Sequence, residues 1–475
     1  MPGIYREMNL PKRLRRSTLV VLLTITVAIG WAQPASRSKP RLIVLTDISS
    51  LTQGEAEPDD GQSMTRLMLY TNDIDIEGLI ATSNLGHGQR TRPELIRQVI
   101  EAYGKVQPSL LRHDKDYPAA DALAAVVKSG TPIAGPKVPV EESIGDGKDT
   151  EGSDWIIKVV DRKDPRPVWI AIWGGSADLA QALWHVRATR TPAQVKAFVS
   201  KLRVHSIYDQ DMTGPWIRKE FPDVYCIFRH HGIRGMYRLG DTTLVRSSWI
   251  KKNLRHHGAL GDLYVDYKGG DIWTGRFGRV QGMKEGDTPS FLYLMTNGLN
   301  APDHPDWGNW SGRFQKDPER ANFWVEAIDS VADYKTDPDP RMAALYRWRP
   351  AWQADFAARM DWCVNTFDDA NHAPVVTGAN ERIEVAGDRQ VRLRVKASDP
   401  DKDNLQYNWF FYPEAGTYRG ALPVIAAKGN TATFPVPVSA AAATMHVIVE
   451  VKDDGAPALT SYKRFIVSIK PANKK

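Results

Sequence analysis

Three aspartates early in the chain could hold a metal ion. Asp47 ends the apolar run that starts at Arg41, and Asp59 and Asp60 open a segment with helical spacing that runs to Leu69. In a doubly wound α/β sheet, ligands bind outside the carboxyl ends of the strands, so these carboxylates should converge on one crevice. Carboxylates that close repel each other unless a hard divalent cation lies between them. A helix-capping role would account for Asp59 or Asp60, but not for Asp47.

The elements around these aspartates alternate between strands and helices. Apolar runs predict buried strands, and apolar residues at helical spacing predict helices. We predict strands at 41–47, 76–83, 168–173, 203–207 and 224–228, and helices at 59–69, 93–102, 178–186, 289–295 and within 340–366. The repetition of strand, turn and helix predicts a mostly parallel, doubly wound sheet.

The carboxyl-terminal part of the chain has a different pattern. The polar segment 368–374 ends the helical pattern, and short alternating runs follow at 391–395, 445–451 and 465–469. Such runs predict an all-β sandwich of the cadherin or immunoglobulin type. We therefore predict an α/β domain at 40–367 and a β-sandwich domain at 374–472.

The amino terminus has the pattern of an export signal. A basic segment ending at Arg16 precedes an apolar run from Thr18 to Trp31, which predicts a signal peptide at 1–32 and a secreted or periplasmic protein. The leader carries a net charge of +4, so the +6 of the whole chain falls to +2 without it. The charge therefore gives no support to a nucleic-acid partner, and we predict none. No later segment is long and apolar enough to predict a membrane span.

Several short motifs resemble those of nucleoside hydrolases. Thr46-Asp47 with Pro58-Asp59-Asp60 resembles their calcium signature, and 78–84 resembles their second strand, which ends in a ribose-binding Asn. The segment 173–180 resembles a glycine turn whose backbone carbonyl reaches the metal, and 286–289 resembles the segment with the late Asp of the metal site. Nearly the whole mature chain is more closely similar to a family of secreted cellulose-binding proteins. That family has a nucleoside-hydrolase-like domain and a cadherin-like carboxyl-terminal domain, and the matching segments are 57–60, 209–216 and 286–291.

The resemblance implies a role for each matching residue. The metal ligands would be Asp47, Asp59, Asp60, Asp287 and the backbone carbonyl of Ala177. Calcium is the expected cation because all of these ligands are oxygens. Asp47 would also act as the general base that takes a proton from water. Asp59, Asn84 and Asp287 would contact the sugar, which would leave through an oxocarbenium-like state.

Three features depart from the nucleoside hydrolase pattern. Eleven residues separate the first aspartate from the pair, which is a longer loop than in nucleoside hydrolases. Gly286 stands where many of them have a proton-donating His. Their substrate-binding Asn and Glu residues are replaced by Asp209, Asp211 and Trp216, which become candidate substrate contacts. The metal side of the pocket is thus expected to be kept and the nucleobase side to be rebuilt.

Other residues suit carbohydrate or a second cation. Trp307 and Trp310 lie in a loop rich in aromatic and polar residues, and an indole face matches the apolar face of a sugar. The alternative is that these tryptophans pack the loop. Asp399, Asp401 and Asp403 would either bind a second calcium ion in the β domain or form a solvated turn.

Adjacent histidines and the two cysteines carry less information. His230-His231 and His256-His257 are predicted to be surface residues, because neighbours in sequence rarely aim at one metal. Cys226 and Cys363 are the only cysteines, and they either pair or remain separate buried thiols.

These observations give competing functional hypotheses. The first is a secreted, calcium-dependent hydrolase of glycosidic or N-glycosidic bonds that acts on a carbohydrate or a nucleoside-like small molecule. The second is a protein that binds a polysaccharide such as cellulose without cleaving it, through a degenerate hydrolase pocket or through the β domain. A third treats the sandwich as an adhesion module. The kept aspartates favour the first hypothesis, whereas Gly286 and the altered substrate segment favour the second.

Overall fold

The computed structural model describes residues 38–52, 58–83, 90–230, 232–267, 281–330, 340–377 and 381–471. The predicted signal peptide and Asn84 lie outside these residues, so both stay predictions. By contacts between residues, the described part of the chain from Lys39 onward forms one compact unit. No helix in the described ranges has the length and apolarity that crossing a bilayer requires.

The α/β part is built on a single large sheet. Its described strands are β1 (Arg41–Thr46), β2 (Asp75–Ala81), β3 (Val127–Ser129), β4 (Val168–Ile172), β5 (Leu202–Ile207), β6 (Tyr225–Arg229), β7 (Phe314–Lys316) and β8 (Phe323–Glu326). Their order across the sheet is β3-β2-β1-β4-β5-β6-β8-β7. All neighbouring strands are parallel except β7 and β8. The predicted parallel sheet is confirmed, and each predicted strand lies within two residues of an observed one.

Helices cover both faces of this sheet. They are α1 (Pro58–Met68), α2 (Pro93–His113), α3 (Ala120–Ala125), α4 (Val140–Ser143), α5 (Glu151–Val160), α6 (Ala177–Thr189), α7 (Pro192–Ser200), α8 (Thr213–Glu220), α9 (Ser247–Asn253), α10 (Gly258–Leu263), α11 (Pro289–Leu292), α12 (Ala343–Tyr346) and α13 (Arg349–Asp361). Leu42 and Val44 of β1 pack with α1 and α2 on one face. Ile43 and Leu45 pack with α5, α6 and α7 on the other. Alternate side chains of β1 therefore enter two separate cores, which confirms the doubly wound arrangement.

The carboxyl-terminal part is built from β-strands and has no described α-helix. Its strands are β9 (Val375–Thr377), β10 (Glu381–Ala386), β11 (Gln390–Arg394), β12 (Lys396–Ser398), β13 (Gln406–Phe411), β14 (Ala426–Lys428), β15 (Thr431–Pro435), β16 (Ala443–Lys452) and β17 (Thr460–Lys470). They form the sheets β10-β17-β16-β13 and β11-β15-β14 and the pair β12-β9, with only β10 and β17 pairing in parallel. Val391, Val447 and Phe465 belong to a core of their own. The predicted β fold is confirmed, and its cadherin-like type stays a prediction.

These strands also pack against the α/β part. The rings of Trp348 and Tyr462 meet edge to face, with centroids 5.8 Å apart. Buried Arg464 of β17 donates hydrogen bonds to the carbonyls of Leu299 at 3.1 Å and Gly308 at 2.8 Å. The carboxyl-terminal part therefore has both its own core and a contact with the α/β part. The boundaries 40–367 and 374–472 stay predictions.

The two cysteines lie apart in the fold. Cys226 is in β6 and Cys363 follows α13, and both are buried and free. The sequence left open whether the two cysteines pair, and in the structure they are separate buried thiols.

Candidate functional site

Three acidic side chains meet at the carboxyl edge of the parallel sheet. Asp59 and Asp60 lie in the first turn of α1, and Asp287 lies shortly before α11. One carboxylate oxygen of each lies within 4.8 Å of the other two, and all three residues are buried. Within the described residues, this is the one group of three or more acidic, His or Cys side chains close enough to share a metal ion. The structure thus brings together three of the four carboxylates that the sequence suggested as ligands.

Asp47, the fourth of these carboxylates, lies next to this group. It directly follows β1 and is buried, and its carboxylate interacts with that of Asp60. Gly174 lies against it, because a Cβ on Gly174 would come within 2.6 Å of the Asp47 Cβ. The backbone N–H of Trp173 donates to the carbonyl of Leu45 at 2.8 Å. The turn after β4 and the end of β1 therefore form the floor of the candidate site.

Asp60 is held at this floor by the end of β1. The Thr46 hydroxyl donates a hydrogen bond to Oδ1 of Asp60. Burial, and then the negative charge of Asp59, raise the pKa of Asp60 to about 7. Burial and the neighbouring charge thus disfavour the carboxylate form of Asp60 more than its hydrogen bonds favour it, and a bound divalent cation would stabilise that form.

Lys284 and Gly286 contact Asp59 from the opposite side. Nζ of the buried Lys284 lies 3.3 Å from Oδ1 of Asp59. A Cβ on Gly286 would come within 2.8 Å of Oδ2 of the same carboxylate. The resemblance places Gly286 where many nucleoside hydrolases have a His. Here a side chain at that position would displace Asp59.

Gln62 of α1 fixes the loop that leads to Asp287. Its Oε1 accepts hydrogen bonds from the backbone N–H groups of Lys284 at 2.7 Å and Glu285 at 3.2 Å. Its Nε2 donates to the carbonyl of Gly282 at 3.1 Å. One side chain on the helix that carries Asp59 and Asp60 therefore sets the path of the segment that delivers the third carboxylate.

A buried ion pair supports the same loop. Arg66, one helical turn after Gln62, pairs with Glu285 at 2.9 Å, and both side chains are fully buried. The Tyr264 hydroxyl donates to the same carboxylate at 2.6 Å. Removing one partner of such a pair leaves an uncompensated buried charge, so the pair ties α1 to the loop. Sequence reasoning missed these residues, although the spacing of Gln62 and Arg66, four apart on one side of α1, was an available signal.

A buried carboxylate beneath the site was also missed. Asp178, in the first turn of α6, accepts hydrogen bonds from the hydroxyls of Thr82 and Thr150, each at 2.7 Å. Burial raises the pKa of Asp178 to about 6. Ala177, the suggested carbonyl ligand, is buried at the start of the same helix, and the role of its carbonyl stays a prediction. Asp178 therefore joins the end of β2 to the helix that begins at the glycine turn.

Two suggested substrate-binding acids are bonded within the chain. Asp209 accepts hydrogen bonds from both terminal nitrogens of Arg218, at 2.8 and 2.6 Å. Buried Asp211 accepts from the backbone N–H groups of Ser176 and Thr213, both at 2.9 Å. Both carboxylates thus hold the α8 region in place, and their contact with a substrate stays a prediction.

The three suggested tryptophans pack against other parts of the protein. Trp216 is half-buried against the apolar core on one face of the sheet. Trp307 stacks on His304 with ring centroids 3.8 Å apart. Trp310 is buried, and its Nε1 donates to the hydroxyl of Tyr462 at 3.3 Å. For Trp310 the structure shows the packing role, and sugar contact by any of the three stays a prediction.

The acidic turn of the β domain is held by its own hydrogen bonds. Oδ1 of Asp399 accepts from the backbone N–H groups of Asp401 at 2.8 Å and Asp403 at 3.1 Å. Asp401 accepts from the backbone N–H of His372 at 2.7 Å. Among the described residues, these acids do not form a close group of ligand atoms. A second calcium site here stays a prediction.

Comparisons with known proteins identify relatives of both parts. Residues 41–314 match the family described as cellulose-binding Sde182, nucleoside hydrolase-like domain. Residues 390–469 match the family described as cellulose-binding protein Sde0182, C-terminal domain. The solved structure of a nucleoside hydrolase-related hypothetical protein from Saccharophagus degradans, described as associated with carbohydrate metabolism, is 30% identical. The match covers 91% of this chain and 100% of that one, with a TM-score of 0.74.

Two other solved structures match shorter parts of the chain. Titin domain M7 is 12% identical over 21% of this chain and 94% of its own, with a TM-score of 0.15. Mouse clustered PcdhgC3 EC1-3 is 15% identical over 22% of this chain and 35% of its own, with a TM-score of 0.16. Both TM-scores are too low to support a structural conclusion. No curated protein matches the chain. The first family match spans more than half of the residues of this chain. The chain therefore belongs to the cellulose-binding Sde182 family with a nucleoside hydrolase-like domain.

Proposed function

We propose that this chain is a secreted hydrolase that cleaves a glycosidic or N-glycosidic bond, with calcium held by Asp47, Asp59, Asp60 and Asp287. The proposal is carried by the buried group of Asp59, Asp60 and Asp287, whose carboxylate oxygens lie within 4.8 Å of one another. The match to a family described as cellulose-binding supports a carbohydrate partner. The basic and apolar leader supports export.

The donor atoms fit calcium. Ca²⁺ takes roughly six to eight oxygen ligands and tolerates flexible geometry, and the four carboxylates offer oxygens from three separate segments of the chain. The raised pKa of Asp60 supports the same cation, because burial and then the charge of Asp59 disfavour its carboxylate form, which a cation would stabilise. The carbonyl of Ala177 is a further proposed ligand.

In the proposed reaction, Asp47 acts as the base and Asp59 orients the sugar. Calcium in the group would supply Lewis acidity toward a water molecule. Asp47 at the floor of the site would take a proton from that water. Lys284 holds Oδ1 of Asp59, and the missing side chain at Gly286 leaves Oδ2 clear for a sugar hydroxyl. The anionic oxygens around the ring would stabilise the positive charge that develops as the bond to the leaving group breaks.

A second candidate function is carbohydrate binding without cleavage. Lys284 favours it, because its ammonium group offsets part of the charge that calcium would otherwise offset. Gly286 favours it as well, because the site has no proton donor at the position where many nucleoside hydrolases have a His. The matching family is also described by what it binds.

Product release separates the two functions. The purified chain is incubated with calcium and with nucleosides, aryl glycosides and oligosaccharides, and free base and reducing sugar are measured. Hydrolysis predicts product from the wild type and none from Asp47→Asn at an unchanged melting temperature. Asp121→Asn, which changes an exposed carboxylate of α3, is the matched control and should retain full activity. Sugar binding without product from any substrate supports the second function, and equal turnover by Asp47→Asn contradicts the assignment of the base.

A further inference from the structure

Tyr208 and His230 form an exposed aromatic stack at the carboxyl edge of the sheet. Tyr208 directly follows β5 and His230 directly follows β6, and these strands are parallel neighbours. The ring centroids lie 4.7 Å apart, and the ring planes differ by 10°. His230 covers one face of the tyrosine ring, yet 45% of Tyr208 is exposed. Much of the tyrosine side chain is therefore open to solvent although the ring stacks on His230.

The backbone holds Tyr208 in a conformation that residues with a side chain rarely adopt. Its φ is 66°, in the left-handed region. The N–H of Tyr208 donates to the carbonyl of Arg229 at 2.9 Å, and the Ser206 hydroxyl donates to the carbonyl of Tyr208 at 2.9 Å. Backbone strain of this kind persists where the surrounding structure fixes it, and it is concentrated at functional sites. The tyrosine ring is therefore positioned before any ligand arrives.

The stack lies along the same edge as the aspartate group. The side chain of Gln210, two residues after Tyr208, donates to the carbonyl of Trp173. Gly174, which follows Trp173 in the chain, lies against Asp47. Only β4 separates β5 from β1 in the sheet. At the usual spacing between strands, the backbone of Tyr208 is therefore roughly 10 Å from that of Asp47.

We propose that the Tyr208–His230 platform binds a second sugar ring, so that the substrate is an oligosaccharide or a longer glycan. The inference rests on the proposed function, in which the aspartate group holds the ring whose bond is cleaved. A pyranose ring has an apolar face of C–H groups and a polar rim, and a single open aromatic face matches it while the rim stays in water. A nucleobase is apolar on both faces and is held by stacking between two side chains, whereas this platform offers one surface. Met212, also 45% exposed, adds an apolar side chain in the same segment.

Calorimetric titration of the full chain with cellohexaose, xylohexaose and adenosine tests the platform. Tyr208→Ala keeps the Cβ, and with it the left-handed strain, so it removes only the ring. Tyr208→Phe keeps the ring, and His230→Ala removes the support of the ring without changing Tyr208. The matched control is Phe367→Ala, because Phe367 is also exposed and stacks on a histidine, His372, with centroids 3.9 Å apart. That second stack lies beside the end of α2.

We expect at least one hexasaccharide to bind the wild type. Tyr208→Ala should weaken this binding by about tenfold or more, and His230→Ala should weaken it in the same direction. Tyr208→Phe should stay within about twofold of the wild type, and Phe367→Ala should bind as the wild type does. The platform is overturned if the wild type binds neither hexasaccharide, if Tyr208→Ala binds them as tightly, or if only adenosine binding depends on Tyr208.

Hydrolysis of the same hexasaccharides separates this inference from the proposed function. Binding that depends on Tyr208, without product from the wild type, supports the platform and contradicts only the catalytic part of the proposed function. Product from the wild type, with affinity unaffected by Tyr208→Ala, contradicts the platform alone.

Discussion

Nζ of Lys284 lies 3.3 Å from Oδ1 of Asp59, inside the buried group of carboxylates that is the candidate calcium site. The ammonium group attracts that carboxylate and repels a divalent cation bound next to it. We therefore expect the lysine to lower the affinity of this site for calcium relative to a site made of the same carboxylates alone.

Replacing Lys284 by Gln should strengthen calcium binding. The amide keeps a hydrogen-bond donor near Asp59 and removes the positive charge, so we expect roughly tenfold tighter binding, or about 1.4 kcal/mol. Calorimetric titration with calcium measures the change. Lys252→Gln alters an exposed lysine of α9 and should leave the affinity unchanged. Unchanged or weaker calcium binding by Lys284→Gln would show that this lysine does not oppose the cation.

Gly298→Ala should loosen the contact between the carboxyl-terminal strands and the α/β part. The φ of Gly298 is +88°, and a Cβ there would lie 1.9 Å from the carbonyl oxygen of Tyr462. Backbone strain and a clash with backbone together should lower the free energy of unfolding by about 2–4 kcal/mol, which thermal unfolding would detect.

The control for this substitution is Gly429→Ala. Gly429 also has a positive φ, +53°, but a Cβ there would meet nothing within 4 Å. Strain alone should cost about 1–2 kcal/mol. Equal losses of stability in the two variants would show that the contact with Tyr462 does not depend on the absence of a side chain at Gly298.

His446 should make the protein less stable in acid. Its Nδ1 accepts a hydrogen bond from buried Arg464 at 3.0 Å. Burial, and then the positive charge of Arg464, lower the pKa of His446 from 6.5 to about 3. Between these two values the unfolded chain binds a proton that the native protein does not. Stability should therefore fall as the pH falls through this window, by at most about 1.4 kcal/mol per pH unit.

His446→Asn tests this pH dependence. The amide keeps an acceptor near the position of Nδ1 and does not titrate, so this variant should lose less stability than the wild type between pH 7 and pH 4. Urea unfolding at the two pH values measures the difference. His256→Asn changes an exposed histidine and should keep the wild-type dependence. Parallel losses in the wild type and His446→Asn would rule out His446 as the source.

The sheet could be predicted because its strands are buried on both faces. β1 and β4 are mostly apolar runs; Asp47 follows the first, and Gly174 and Gly175 follow the second shortly after its end. The same topology predicts that Asp47, at the end of β1, and Asp59 and Asp60, at the start of α1, lie close together. The link to Asp287 came from the motif rather than from the apolar pattern, because 226 residues separate it from Asp60 and no local rule sets its position.

The sequence does not show which polar groups already have partners within the chain. Asp209 was a candidate substrate contact, yet it pairs with Arg218 in the structure. His230 was predicted to be a surface residue, and it is partly buried under Tyr208. That stack depends on the pairing of β5 with β6, which brings together residues far apart in the sequence.

A calcium titration of the chelator-treated chain tests most directly whether the buried aspartate group binds calcium. Heat of binding and melting temperature are recorded for the wild type, Asp60→Asn and the exposed control Asp121→Asn. We predict that the wild type and the control bind calcium and melt at a higher temperature with it. We predict that Asp60→Asn loses about one equivalent of calcium and the stabilisation that accompanies it. A wild type that binds no calcium, or an Asp60→Asn variant that binds it with the same affinity and stoichiometry, would show that the aspartate group is not a calcium site.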